Sequence, residues 1–272
     1  MTPRTLPLSD GGHVRLVEAG QGEPLLLIHG VGLRAEAWEP QAEALAGTHR
    51  VVAVDMPGHG GSSPLPERAR LPDFVAWAGQ VVQALGLGPV NVAGHSMGAL
   101  VAAGLAVEEP GLVRRLAVLN AVFRRSPEAR AAVLARAEAI AAGEAGEEAP
   151  LSRWFGDPAA DRAARARVAA WLAGVDRAGY AAAYRAFAQG DDTYAARWPA
   201  IACPVLVLTG AEDPNSTSDM ARAMAAAAPQ ARLVVVDGHR HMVGLTAPGA
   251  VSAALADWLA MPATLPREEV RA

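Results

Sequence analysis

A serine between two glycines marks the segment of this 272-residue sequence that best suits nucleophilic chemistry. The segment is Gly94-His95-Ser96-Met97-Gly98; the apolar run Val90–Ala93 before it predicts a strand, and the run Ala99–Glu108 after it predicts a helix. A serine on a sharp strand-to-helix turn has a strained backbone that exposes its hydroxyl, and glycines let the neighbouring backbone pack closely. The pattern predicts Ser96 as a nucleophile, with the N–H of Met97 at the helix start as an oxyanion donor.

Acid–base groups must accompany the serine, because a hydroxyl becomes a strong nucleophile only when an oriented base accepts its proton. Two histidines near the C-terminus, His239 and His241, are both candidates for the base. The candidate acids that follow late apolar runs are Asp213, Asp219 and Asp237. Asp219 has an adequate structural explanation, since it stands where a helix is predicted to begin and can cap that helix.

The elements that must position these residues are short apolar runs separated by helical segments. The runs are Leu25–Ile28, Val51–Asp55, Val90–Ala93, Leu116–Asn120, Val205–Thr209 and Leu233–Asp237. Apolar runs bounded by Gly and Pro are typical of parallel strands that helices cover on both faces. Helix-forming composition between them, as in Phe74–Leu85 and Ala99–Glu108, predicts an α/β fold with a mostly parallel, doubly wound sheet.

The alternation of strands and helices stops between Ala121 and Ala200, where the sequence is rich in Ala, Arg and Glu. We therefore expect a core of residues 1–121 and 200–272, and a helical cap or lid of residues 122–199 inserted into it. Most of the aromatic residues lie in this insertion: Trp154, Phe155, Trp171, Tyr180, Tyr184, Phe187, Tyr194 and Trp198. We expect most of them to form the cap's own core and a minority to line a pocket.

Taken together, these motifs make the chain resemble the α/β-hydrolase-fold superfamily, in the group of serine hydrolases with a helical cap. The segment His29-Gly30-Val31-Gly32 resembles the family's H-G-x motif, which implies that the N–H of Val31 is the second oxyanion donor. The segment from Asp55 to Ser62 matches the family's D-x-P-G-x-G-x-S loop, whose role is architectural. Structural roles are therefore expected for His29, and also for His95 beside the nucleophile.

The resemblance also implies the other two members of a catalytic triad. A loop ending at Asp213 resembles the family's G-x-x-D loop and implies Asp213 as the acid. The family's H-x-x-x-L-x-x-P pattern fits when it is counted from His241, which implies His241 as the base, although Thr246 replaces the usual acidic residue. His239 remains the alternative base. The order Ser96, then Asp, then His along the chain agrees with the order expected for this fold.

Composition narrows the range of partners. The net charge of −4 and the absence of a basic stripe do not favour nucleic acid, and no apolar run is long enough to span a membrane. Cys203 is the only cysteine, so an intrachain disulfide is excluded, and with no signal-peptide pattern in Met1–Asp10 we expect a cytoplasmic protein. The mechanism requires no metal and no organic cofactor. A small-molecule substrate is the expected partner, and the oligomeric state stays open.

The leading functional prediction is hydrolysis of a small, largely apolar carboxylic ester or lactone through an acyl-enzyme on Ser96. Aromatic residues in the cap favour uncharged substrates over dicarboxylates, and Arg124 and Arg125 are the residues that could reverse this preference. The alternative enzyme function is carbon–carbon bond hydrolysis of a ring-cleavage product, which capped relatives carry out with the same triad. A ligand-binding receptor that retains the triad is a further alternative from a different class.

Overall fold

An eight-stranded sheet carries the fold in the computed structural model, which describes residues 1–144, 146, 148–156 and 159–263. The strands are β1 (Thr2–Pro7), β2 (His13–Ala19), β3 (Glu23–Ile28), β4 (His49–Val54), β5 (Val90–His95), β6 (Val113–Leu119), β7 (Val205–Gly210) and β8 (Ala231–Val236). Their order across the sheet is β1-β2-β4-β3-β5-β6-β7-β8. The pairs β1–β2 and β2–β4 are antiparallel, and all other pairs are parallel. The predicted α/β class with a mostly parallel sheet is confirmed.

The six predicted strands are all present as β3 to β8, whereas β1 and β2 were not predicted. β1 is exposed along almost its whole length and contains two prolines, so it has no apolar run. In β2, Val14, Leu16 and Val17 are buried, whereas Arg15 is only partly buried. Partial alternation of this kind is typical of an antiparallel strand, and it is a weaker signal than the continuous apolar runs of the parallel strands.

Helices cover both faces of the sheet. They are α1 (Glu39–Leu45), α2 (Leu71–Ala84), α3 (Met97–Glu108), α4 (Pro127–Ala141), α5 (Glu148–Trp154), α6 (Arg162–Ala173), α7 (Arg177–Gly190), α8 (Ser218–Ala227), α9 (Val243–Thr246) and α10 (Pro248–Leu259). α3 is buried from Met97 to Val107, which agrees with its apolar composition on all sides. The buried apolar residues form one cluster that includes α2 and α3, a second that includes α1 and α10, and a third that includes α5 and α6. No helix in the described part of the chain is both long and apolar enough to cross a lipid bilayer.

The segment between β6 and β7 contains α4 to α7 and forms no strand in its described residues. Aromatic rings pack against one another there: Tyr184 contacts Tyr180 and Phe187 at centroid distances of 5.8 Å. This packing is what we expect of a cap with its own core. The boundaries 122–199 for the cap stay a prediction, and residues 145, 147, 157, 158 and 264–272 of the predicted units lie outside the described residues.

Candidate active site

Ser96 lies on the turn between β5 and α3, as the sequence predicts. Its backbone has φ 55° and ψ −116°, a conformation that costs a non-glycine residue on the order of 1–3 kcal/mol. The N–H of Ser96 donates to the carbonyl of Leu119 on β6 over 2.9 Å, so the sheet helps to hold the strained turn. Backbone strain at a cavity wall is a feature that recurs in functional sites.

The two glycines of the motif are required by close backbone contacts. A Cβ atom on Gly94 would lie 2.1 Å from the carbonyl oxygen of Gly98. A Cβ atom on Gly98 would lie 2.2 Å from the carbonyl oxygen of Ile28 on the neighbouring strand β3. Because real Cβ atoms do not approach other atoms so closely, only glycine allows this turn to pack against β3.

Asp213 and His241 lie together after the C-terminal ends of β7 and β8. His241 Nδ1 donates to Asp213 Oδ2 over 2.7 Å, and both side chains are almost completely buried. Loops that follow neighbouring parallel strands meet at one edge of the sheet, which explains how residues 28 positions apart make contact. The two other candidate acids do not share this site, since Asp219 is exposed and pairs with Arg222, and Asp237 is exposed.

The surroundings of Asp213 keep its carboxyl group ionised. Burial by itself raises the pKa of Asp213, but the His241 imidazole and other donors outweigh burial and hold the pKa below its usual value. Oδ2 accepts from Asn120 Nδ2 over 2.8 Å, and Oδ1 accepts from the N–H groups of Asn215 and Ser216 over 2.8 and 3.1 Å. A carboxylate only accepts hydrogen bonds, so His241 Nδ1 carries a proton and Nε2 is left as an acceptor when the imidazole is neutral.

The other candidate base, His239, has a different environment. Its Nδ1 lies 2.9 Å from Thr246 Oγ1, and the side chain is half-buried. His241 lines the same cavity as Ser96, and His239 is not among the residues of that cavity. Within the described residues no hydrogen bond joins Ser96 Oγ to His241; such bonds are often long before substrate binds.

Buried histidines brace the loops around the site, which agrees with their predicted structural roles. His95 Nε2 donates to the carbonyl of His241 over 2.8 Å, and burial lowers the pKa of His95 to about 3, with a smaller contribution from the neighbouring His241. His29 Nε2 accepts from the N–H of Met56 over 2.9 Å, and His59 Nε2 accepts from the N–H of Gly32 over 3.0 Å. Burial also lowers the pKa of His59 to about 3, so this ring is neutral and can accept.

Both residues predicted to supply oxyanion donors lie near Ser96. Val31 is part of the cavity wall that includes Ser96. Met97 is the first residue of α3, so its N–H has no acceptor within the helix. A Cβ atom on Gly30 would lie 3.0 Å from Ser96 Cβ, which shows how closely the loop after β3 approaches the serine. Their role as donors stays a prediction.

A cavity of about 220 Å³ separates Ser96 and His241 from the helices between β6 and β7. Its apolar wall consists of Val31, Ala129, Ala132, Val133, Trp154, Tyr184, Phe187 and Met220, with Pro214 beside them. Trp154 stacks on the His241 ring at a centroid distance of 6.0 Å and an interplanar angle of 27°. The expected minority of cap aromatics therefore does reach the cavity.

The cavity contains a cluster of cations, which opposes the sequence-based expectation that uncharged substrates are preferred. Arg125, Arg136 and Arg153 all line it. They were not recognised as a group because they belong to the segment before α4, to α4 and to α5, and only the packing of the cap brings them together. Arg124, which the sequence analysis grouped with Arg125, is exposed, and its Nη2 donates to the carbonyl of Ala195 over 3.2 Å.

Asn120 and Trp154 are further residues at the site that the sequence analysis did not assign. Asn120 is the last residue of a predicted strand, and its φ of 48° is left-handed. Asn is among the few residues that adopt this conformation readily, so an Asn at a strand end before a turn was the available signal. Trp154 lies in the cap, and nothing in its local sequence indicates that it stacks on His241.

Replacing Asn120 by Gly tests how Asp213 is kept ionised, since Gly accepts the φ of 48° without strain. Because the pKa of Asp213 is lowered, its charge stabilises the fold above the ordinary carboxyl range and this stabilisation is lost as pH falls through the lowered pKa. We expect Asn120→Gly to raise that pKa and to lower the free energy of unfolding at neutral pH by about 2 kcal/mol.

The measurement is urea unfolding between neutral and acidic pH. The variant should lose less stability on acidification than the wild-type protein, because less of its stability depends on the Asp213 charge. Asn215→Ala is the matched control, since its backbone N–H still donates to Asp213. An identical pH dependence in Asn120→Gly and wild type would contradict this account.

Comparison with known proteins places most of the chain in a known fold. A sequence profile described as "alpha/beta hydrolase fold" matches residues 23–248. An Acinetobacter baylyi protein named (E)-2-((N-methylformamido)methylene)succinate hydrolase is 51% identical over 259 residues, which cover 95% of this chain and 98% of the relative. The malate-bound structure of a thermophilic esterase from Thermogutta terrifontis superposes with a TM-score of 0.86 at 26% identity, covering 95% of this chain and 98% of the esterase. For the enol-lactonase of Burkholderia xenovorans LB400 the TM-score is 0.85 at 24% identity, with 95% and 100% covered, which shows the fold alone.

Proposed function

Because this chain is a hydrolase that belongs to the α/β-hydrolase-fold family, we propose that it hydrolyses a small, open-chain unsaturated dicarboxylate through an acyl-enzyme on Ser96. The observation that carries the proposal is the cavity itself, which is lined by Ser96 and His241 and also by Arg125, Arg136 and Arg153. A cavity that combines a nucleophile with three cations suits an anionic substrate better than a neutral ester.

The name of the Acinetobacter relative supports the same substrate class, because its compound is an unsaturated succinate that carries an N-methylformamide group. Open-chain unsaturated acids are also what ring cleavage produces. The alternative from the sequence analysis, carbon–carbon bond hydrolysis of a ring-cleavage product, is therefore supported better than hydrolysis of a small apolar ester. The Thermogutta esterase structure is described as malate-bound, and malate is also a dicarboxylate.

The proposed first step transfers an acyl group to Ser96. His241 Nε2 accepts the proton of Ser96 Oγ as this oxygen attacks a carbonyl carbon, and ionised Asp213 stabilises the imidazolium that forms. The N–H groups of Val31 and Met97 donate to the oxygen that becomes negatively charged. For an N-formyl enamide, the bond between the formyl carbon and nitrogen breaks, and the nitrogen takes the proton from His241.

The second step releases the acyl group. His241 removes a proton from water, the water oxygen bonds to the acyl carbon, and the bond to Ser96 Oγ breaks as His241 returns the proton to the serine. With an N-formyl substrate the product is formate, and the secondary enamine is the product of the first step. Trp154, stacked on His241, restricts the space for water on that side of the ring.

Turnover of a substrate panel tests the proposed function. The panel contains (E)-2-((N-methylformamido)methylene)succinate, a vinylogous diketone with a carboxylate, a short neutral ester and a lactone, assayed for substrate loss and for formate release. We expect kcat/KM to be highest for an unsaturated dicarboxylate. Release of formate would show cleavage of a carbon–nitrogen bond, and loss of the diketone would show cleavage of a carbon–carbon bond. A higher kcat/KM for the neutral ester or lactone would restore the ester prediction. If a fluorophosphonate does not label Ser96 and no compound of the panel is hydrolysed, the protein is better explained as a ligand-binding receptor that retains the triad.

A further inference from the structure

The buried end of the cavity contains an arginine that is held in place yet keeps an unused donor. Arg125 has a side chain only 3% exposed; Nη1 lies 3.2 Å from Asp191 Oδ1 and donates to the carbonyl of Phe187 over 3.3 Å. Its guanidinium group stacks on the Phe187 ring at 4.4 Å. Nη2 is buried and has no hydrogen-bond partner. A buried donor without a partner costs about 1–3 kcal/mol, which an incoming acceptor would recover.

A second group of cations lies elsewhere on the cavity wall. Arg136 on α4 and Arg153 on α5 line the cavity together, and the buried Nε of Arg136 has no hydrogen-bond partner. Burial lowers the pKa of Arg153, and the charge of Arg136 lowers it further. Neither arginine forms an ion pair with any residue in the described part of the chain. Two like charges that face one cavity without a counterion are relieved when an anion binds between them.

Apolar side chains separate the two groups of cations. Ala129, Ala132 and Val133 lie on the face of α4 that lines the cavity, between Arg125 before the helix and Arg136 about two and a half turns into it. With a rise of about 1.5 Å per residue, α4 spans roughly 13 Å from its first residue to Arg136, and Arg125 precedes that first residue. Both side chains line the cavity between these points, so a short molecule can meet a cation at each end and carbon in the middle.

We propose that the cavity is a two-ended dicarboxylate site in which Arg125 binds one substrate carboxylate and Arg136 with Arg153 binds the other. The inference rests on the proposed function and adds to it the residues that select the substrate. Asp191 and Phe187 already hold the guanidinium group of Arg125 in place, so this side chain loses little conformational entropy when a carboxylate binds. The apolar face of α4 then contacts the unsaturated carbon chain between the carboxylates.

A binding measurement without catalysis tests the site independently of the reaction. The protein used is full-length Ser96→Ala, and the probe is methylenesuccinate, titrated by calorimetry beside its two monomethyl esters. We expect the dicarboxylate to bind about 10- to 100-fold more tightly than either monoester, as the loss of one charge-assisted contact predicts. Equal affinity for all three compounds would overturn the two-ended site.

Arginine variants show which end binds which carboxylate. In Arg136→Gln and in Arg125→Lys, which keeps the charge beside buried Asp191 but removes the planar fork, we expect the dicarboxylate to bind about 10- to 100-fold more weakly. Each variant should bind one of the two monoesters as tightly as the parent does, and the two variants should differ in which monoester this is. The reason is that the monoester already lacks the carboxylate that the replaced arginine would bind. Arg124→Gln is the matched control, since Arg124 is exposed and bonds Ala195, and it should bind all three compounds like the parent.

The outcomes separate this inference from the proposed function. If both arginine variants respond to the same monoester, or if neither weakens dicarboxylate binding, the two-ended site is wrong even when Ser96 still reacts with a fluorophosphonate. A second outcome is that each arginine variant leaves the affinity for a different monoester unchanged, while Ser96 does not react with the fluorophosphonate and the wild-type protein hydrolyses no substrate. The two-ended site is then correct and the proposed chemistry is wrong. Thermal unfolding of each variant, measured first, shows whether it is folded.

Discussion

Ser96→Ala is expected to lower kcat by about 10⁴- to 10⁶-fold and to abolish labelling by a fluorophosphonate. The change removes the oxygen that we propose forms the acyl-enzyme, and it removes little else, because the cavity, the arginines and the Asp213–His241 pair are untouched. Alanine keeps the same backbone strain at φ 55° as serine, so the folded state should neither gain nor lose much stability. Steady-state turnover of the unsaturated dicarboxylate and gel-based labelling are the two measurements.

Ser152→Ala serves as the control for labelling. Ser152 is exposed on the cap, and its Oγ donates to the carbonyl of Ala149, so it has no base beside it. We expect this variant to be labelled and to turn over substrate like the wild-type protein. Turnover by Ser96→Ala within tenfold of the wild-type rate, in protein with an unchanged unfolding temperature, would exclude the acyl-enzyme on this serine.

His241→Ala is expected to lower kcat by about 10⁴- to 10⁶-fold, close to the effect of losing Ser96 itself. The serine and the histidine act as one unit, since a hydroxyl that cannot pass its proton to a base does not attack. The double variant Ser96→Ala with His241→Ala should therefore be little worse than either single variant. Replacing His241 also leaves Asp213 buried without the imidazole, so stability should be measured alongside activity.

His239→Ala is the matched control for the base, because the two histidines are two positions apart in one loop. The structure gives His239 a local partner, Thr246, and leaves it outside the cavity wall. We expect its replacement to change kcat by less than about tenfold, the range of a loop residue that does not touch substrate. The reverse ranking of the two variants would transfer the base to His239.

Two unsatisfied donors, Arg125 Nη2 and Arg136 Nε, destabilise the free protein, and in the proposed site a bound carboxylate would supply their partner. Arg125 is buried with a free Nη2, and Arg136 is close enough to Arg153 to lower its pKa. Groups that are destabilised before binding are common at sites that recognise charged ligands, because the ligand supplies the missing partner. For the same reason we expect a dicarboxylate to stabilise the folded protein and to raise its unfolding temperature.

The choice between the two histidines and the strands β1 and β2 could not be predicted from local sequence alone. The preference for His241 over His239 came from a family pattern, and the structure adds a contact that distinguishes them, the 2.7 Å bond from His241 to Asp213. The antiparallel strands β1 and β2 were missed because neither contains a continuous apolar run. Their place in the sheet depends on β4, which lies far along the chain and pairs with β2.

The sequence by itself determined the α/β class, six of the eight strands and the sharp turn that carries Ser96. These features depend on apolar runs and on turn chemistry, which are written in a few adjacent residues. Only the tertiary structure decided the charge of the cavity, where Arg125, Arg136 and Arg153 converge from three separate segments. A net charge of −4 gave no sign of that cluster, because the field inside a cavity depends on which side chains the fold brings together and not on how many the chain contains.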